Sequence, residues 1–136
     1  MQITEKMSVE SLILNPAEDT PLINFNVDSG EFLISGMSRP EDVTKVYNPI
    51  IEWLKSYLES PAPVTNVDFK FAYFNTASAR KIYEVLAVLD EINDSGKSEV
   101  KINWFYDEPD IDMKMAGEEY DELIGIEIVH NSVPIH

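Results

Sequence analysis

Apolar and polar positions along this chain alternate in blocks of period two and of period 3.6, and the changes of period mark its elements. Residues 10–14 and Leu22–Asn26 have strand character, separated by the breaker run Asn15-Pro16-Ala17-Glu18-Asp19. Residues 31–35 form a third strand run. The Asp28-Ser29-Gly30 turn signal before it predicts an antiparallel hairpin with the second. A helix follows, with Ser38-Arg39-Pro40-Glu41 matching a capping box in which Ser38 is the cap. Its apolar face is Val43, Val46, Tyr47, Ile50, Ile51, Leu54, Tyr57 and Leu58. Pro49 lies inside that face and removes a backbone bond, which leaves either one bent helix or two short ones, ended by Ser60-Pro61-Ala62-Pro63.

Residues 67–74 alternate Val67, Phe69, Phe71 and Tyr73 against Asp68 and Lys70. They then become apolar on both faces at Ala72-Tyr73-Phe74, as an interior strand does. A second helix is expected over residues 76–94, with Ala79, Ile82, Tyr83, Leu86, Leu89 and Ile92 facing the core and Ser95-Gly96 as its stop. Val100, Ile102, Trp104 and Tyr106 alternate in a further strand. An acidic helix over residues 111–123 and a short strand at 126–129 complete the order. Strands first, then helix and strand in alternation, predict an α/β fold: a mixed sheet with an N-terminal hairpin and three main helices packed against it. At 136 residues, with no linker or repeat, the chain reads as one domain, 1–136.

Composition narrows the function. Apolar content of 44% argues against a disordered chain despite a net charge of −15. That charge argues against nucleic acid, whose phosphates need clustered bases, and the ten bases are scattered. Met1-Gln2-Ile3-Thr4-Glu5-Lys6 lacks the basic-then-apolar pattern of a signal peptide, and no apolar run is long enough to span a membrane. With no cysteine there is no disulfide framework and no thiolate chemistry, which fits a reducing compartment. A cytoplasmic location is expected.

The chemistry concentrates where a strand runs straight into a helix, at Asn75, Thr76 and Ser78, with Arg80 one turn beyond Thr76. A helix start leaves backbone N–H groups unpaired and favours negative charge. Asn75 or Thr76 can therefore cap the helix, contributing about 1 kcal/mol, or Thr76 can carry a phosphate. A phosphate there would add about −2 charge and bulk to a surface a partner must cover.

The segment 107–122 holds eight acids against Lys114 alone. A solvated helix face and a docking surface for a basic partner are both open. Its acids fall on some calcium-loop positions, but Met113 stands where that loop needs glycine and a strand precedes it, so no metal is expected. His130 and His136 are the only histidines, and no phosphate loop, nucleophile elbow or zinc motif occurs. No enzyme and no cofactor is expected. Trp104 is expected in the core, and Trp53 in either the core or a contact surface.

Several stretches together resemble the SiaC family of bacterial regulatory phosphoproteins. They are Phe74-Asn75-Thr76-Ala77-Ser78-Ala79-Arg80, Gly36-Met37-Ser38-Arg39-Pro40-Glu41 and Tyr47-Asn48-Pro49-Ile50-Ile51-Glu52-Trp53-Leu54. Val100-Lys101-Ile102-Asn103-Trp104-Phe105-Tyr106, Asp110-Ile111-Asp112-Met113 and Gly117-Glu118-Glu119-Tyr120 complete the likeness, which covers about residues 8–130. The resemblance implies a STAS-like fold, like that of the anti-sigma-factor antagonists, and a partner switch. In such a switch a Ser/Thr kinase phosphorylates one threonine, which maps onto Thr76, and a PP2C-type phosphatase removes the phosphate. The unmodified form binds and activates an output protein such as a diguanylate cyclase, controlling biofilm behaviour. The family usually has Asn-Thr-Ser-Ser-Ser-Lys at this site. Ala77, Ala79 and Arg80 depart from it, leaving Thr76 as the clear acceptor and Ser78 as a weaker one.

Overall fold

A computed structural model describes residues 9–134. Met1–Lys6 and His136, which entered the expectations above, lie outside them. The elements run β1 (Leu12–Leu14), β2 (Leu22–Asn26), β3 (Glu31–Ser38), α1 (Val43–Tyr57), β4 (Val64–Phe74), α2 (Thr76–Asp94), β5 (Glu99–Asp107), α3 (Ile111–Leu123) and β6 (Ile128–Val133). They form one six-stranded sheet in sequence order, β1-β2-β3-β4-β5-β6. The first two pairings are antiparallel and the other three parallel. The expected hairpin is β2–β3. Asn26 Oδ1 accepts from the N–H groups of Asp28 and Ser29, and Gly30 turns the chain at φ +76°. A Cβ on Gly30 would collide with the carbonyl oxygen of Val64, so the turn also lets the start of β4 approach closely.

Each helix joins neighbouring parallel strands stepping in the same direction. Right-handed crossovers therefore lay all three helices on one face of the sheet. The strands alternate accordingly. Val67, Phe69, Ile102 and Trp104 are buried beneath the helices, whereas Asn66, Asp68, Lys101, Asn103 and Phe105 face the bare side. On that side Asn103 Nδ2 donates to Asn66 Oδ1 at 3.2 Å and to Asp68 Oδ1 at 2.9 Å. The Lys70 ammonium sits 4.7 Å from the centre of the Phe105 ring. Trp104 is fully buried, stacked on Phe69, with its indole N–H donating to Met113 O at 2.9 Å. Trp53 is half-buried: it stacks on Tyr57 and donates to Glu10 O at 2.8 Å, pinning the start of the described chain.

Several local expectations are corrected. Ser38 does not cap α1, because the β3–β4 ladder extends to Ser38↔Phe74 and holds it as a buried strand residue. Asp42 is the cap, its Oδ1 accepting from Lys45 N at 3.2 Å. Tyr83 is exposed rather than core, because α2 turns Val85 and Val88 inward while packing against α1. Ala72 and Tyr73 are also exposed, since their position reflects a bulge rather than a strand buried on both faces. β6 begins at Ile128 rather than Ile126, because residues 124–127 form the return loop, tied by Gly125 N to Asp90 Oδ2 at 2.9 Å. The open question at Pro49 resolves to one helix, since α1 is continuous through it.

Candidate functional site

The junction of β4 and α2 is shaped by two irregularities. The β4–β5 ladder ends at Phe69↔Trp104, so the last residues of β4 pair with β3 alone. Within that stretch the register shifts: Gly36 pairs with Phe71 and Met37 with Tyr73, leaving Ala72 as the extra residue. The bulge turns Phe74 back toward the core, where its ring meets those of Phe71 and Trp104 edge-on. The chain then enters α2 within one residue.

The capping question resolves at Asn75. Its Oδ1 accepts from Ser78 N at 2.8 Å, and its own N–H donates to Ser38 O at 3.0 Å. Thr76 is the first helical residue and is exposed, and no hydrogen bond among the described residues uses its hydroxyl. The N–H groups of Thr76 and Ala77 likewise have no protein partner among the described residues, as the first turn of a helix dictates. An exposed hydroxyl thus stands beside two free backbone donors at the positive end of a helix of 19 residues.

Ser78 is fully buried and committed elsewhere. Its hydroxyl donates to Ser38 O at 3.1 Å and accepts from Ser38 Oγ at 2.9 Å, and Ser38 Oγ lies 2.6 Å from the Tyr47 hydroxyl. With Tyr47 donating to Ser38, all three hydroxyl protons have acceptors. The first turn of α2 is thereby joined to β3 and α1. Burial pushes the Tyr47 phenol up to about 12, against a smaller opposing effect of its hydrogen bonds, so it stays neutral. Tyr120 of α3 donates to Ala79 O at 2.6 Å, and burial, with Tyr47 and Glu119 nearby, raises its phenol too. Arg80 is exposed, takes part in no ion pair among the described residues, and borders the hollow between α2 and α3. By contrast Lys81 is held by Asn48 and Glu84, and Arg39 by Asp19. The structure therefore brings Asn75, Thr76 and Ser78 into one turn with three different tasks, with Arg80 a turn further along. Nothing in the sequence marked Ser38 and Tyr47 as supports of this turn. Their types fitted a cap and an apolar helix face, and only the fold places them under Ser78.

In the acidic segment Asp110 is engaged as the α3 cap, accepting from Met113 N at 3.1 Å. Among the described residues no three acids or histidines gather as a metal would require. His130 Nε2 lies 3.4 Å from Asp121 Oδ2 on the β6 side of α3. No described helix is long and apolar enough to cross a membrane.

The site thus consists of a helix start with an exposed threonine, set at the end of a mixed six-stranded sheet that carries three helices on one side. The chain matches the family model "SiaC family regulatory phosphoprotein" over residues 14–132, and it belongs to that family. Apo-SiaC from Pseudomonas aeruginosa superposes with a TM-score of 0.82 at 23% identity, covering 90% of this chain and 99% of that one. The same score, identity and coverage hold for a chain in the crystal structure of the diguanylate cyclase SiaD with its activator SiaC, from the same organism. At such identity the likeness shows the shared fold. An uncharacterised Pseudomonas aeruginosa protein is 26% identical over 105 residues, 77% of this chain and 82% of that protein.

Proposed function

We propose that this protein is a non-enzymatic component of a partner-switching system, phosphorylated on Thr76 by a Ser/Thr kinase and dephosphorylated by a PP2C-type phosphatase. In its unmodified form it binds and activates an output protein such as a diguanylate cyclase. The observation that carries the proposal is the division of labour at the α2 start. Asn75 does the capping, Ser78 is locked in the interior, and Thr76 alone offers an unengaged hydroxyl. A phosphate on it would meet the free N–H groups of the first turn, with Arg80 one turn away. Family membership supports a regulatory phosphoprotein, and a relative of the same fold is an activator found with a diguanylate cyclase. A constitutive acidic module without a switch would make Thr76 a plain cap, a role Asn75 already fills.

The test is incubation with the cognate kinase and ATP, phosphosite mapping by mass spectrometry, and cyclase binding by Thr76→Ala and Thr76→Glu variants. Phosphate on Thr76, with weaker binding by Thr76→Glu than by Thr76→Ala, is expected. Phosphate elsewhere, or binding that neither substitution changes, would sink the proposal. Glutamate supplies only about half the charge of a phosphate, so its effect is the smaller of the two.

A further inference from the structure

The parallel part of the sheet comes apart at one place. The β4–β5 ladder stops at Phe69↔Trp104, yet both strands continue, β4 to Phe74 beside β3 and β5 to Asp107 beside β6. Among the described residues no backbone hydrogen bond joins 70–74 to 105–107. Two strand edges therefore face each other across a gap, and a strand edge carries a row of N–H and C=O groups. Inside a sheet such groups are normally paired. The gap lies at the carboxyl ends of parallel strands, where open α/β sheets hold their ligands. Here it comes from parted strands rather than from a reversal of strand order.

The gap holds a hollow of about 290 Å³, lined by Lys70, Phe71, Phe105, Tyr106, Asp107 and Val133. Strand alternation sorts them. Phe71 and Tyr106 are in phase with the buried Phe69 and Trp104, so they form an aromatic floor. Lys70, Phe105, Asp107 and Val133 stand on the bare side of the sheet, around the mouth. Lys70 and Asp107 are exposed, and neither takes part in an ion pair among the described residues. An unpaired cation and an unpaired anion thus share the mouth of an apolar hollow. Its volume is at the lower end of the range for ligand pockets, about 300–1,000 Å³, which suits a single small molecule.

We propose that the hollow binds a free α-amino acid with an apolar side chain, of the leucine or phenylalanine type. Its carboxylate would meet the Lys70 ammonium and its ammonium would meet Asp107, while N–H and C=O groups of the parted edges take the remaining acceptors and donors. Its side chain would lie on Phe71 and Tyr106. A ligand held in this way ties the end of β4 to β5. The site is on the side of the sheet away from the helices and does not rest on Thr76 being modified.

The test titrates the full-length, isotopically labelled protein with L-leucine and L-phenylalanine at millimolar concentrations, following amide shifts by NMR. Saturable shifts centred on Lys70, Phe71, Phe105, Tyr106 and Asp107 are expected, with slower amide exchange over residues 70–74 and 105–107. Glycine lacks the side chain, leucinamide the carboxylate and N-acetyl-leucine the ammonium, so each should bind at least about tenfold more weakly than leucine. Lys70→Met, which keeps an apolar stem over Phe105, and Asp107→Asn should each weaken leucine binding by about tenfold or more. Glu99→Gln combined with Lys101→Met removes one charge of each sign at the other end of β5, about 20 Å from Asp107, and should leave binding within about threefold of the parent. Absence of saturable shifts, or shifts centred on other surfaces, overturns the proposal. Leucinamide or N-acetyl-leucine binding as well as leucine also overturns it, as does binding that neither Lys70→Met nor Asp107→Asn weakens. Phosphosite mapping is a separate measurement, so failure here leaves the Thr76 proposal standing, and the reverse.

Discussion

Replacing Asn75 with alanine separates the two roles that a polar helix start can play. The substitution removes Oδ1, which accepts from Ser78 N at 2.8 Å. Losing an N-cap of this kind costs about 1 kcal/mol, within a range of about 0.5–2. Ser78 N is part-buried, so water replaces the lost acceptor poorly, which places the expected loss at about 1.5 kcal/mol. For a chain of this size the unfolding entropy is about 0.3 kcal/mol/K, so the midpoint should fall by about 5 °C. Thr76→Ala removes a hydroxyl with no partner among the described residues and should stay within about 0.5 kcal/mol of the parent, alanine being the better helix former. Asn75→Asp keeps the acceptor and should also stay close to the parent. Urea unfolding followed by circular dichroism measures all three. If Thr76→Ala loses as much as Asn75→Ala, the threonine is the working cap and the assignment of roles at this turn is wrong.

Gly117→Ala should destabilise by about 2 kcal/mol, because the new Cβ would lie 2.5 Å from Cδ1 of the fully buried Trp104. Thermal unfolding of a variant as stable as the parent would refute that contact. Tyr120→Phe should cost about 1 kcal/mol and speed amide exchange in α3, since Ala79 O loses its 2.6 Å donor. Unchanged exchange would show that other contacts hold α3. Tyr47 has a folded-state value of about 12, above the ordinary value of 10.0. The folded-state value is raised, so the stability it represents is complete below about pH 10 and declines as pH rises toward 12, because the unfolded chain loses the proton first. Alkaline titration should show Tyr47→Phe with a shallower loss of stability over that window; identical slopes would count against it.

Much of the fold was legible because period and punctuation agreed: Asp28-Ser29-Gly30 marked the hairpin, and Thr76–Asp94 carried its helical spacing to the Ser95-Gly96 stop. The misplacements have local causes. Ser38 and Glu41 satisfy a capping pattern by composition, yet a ladder partner at Phe74 outcompetes it, and Asp42 lies closer to the helix. Tyr83 has the spacing of a core residue, but which side of α2 meets α1 is decided by tertiary packing. At the site, the residue types at 75, 76 and 78 were visible. Their division into cap, free hydroxyl and buried link depends on Ser38 and Tyr47, which come from distant parts of the chain.

The bare face of the sheet has a practical use. It lies opposite the helical layer, and Lys101 projects from it into solvent. The chain has no cysteine, so Lys101→Cys would create a single attachment point for a fluorophore or a sensor surface. Molecules tethered there would present Thr76 and the helical layer outward, all in one orientation, and binding could be recorded without the label standing in a partner's way.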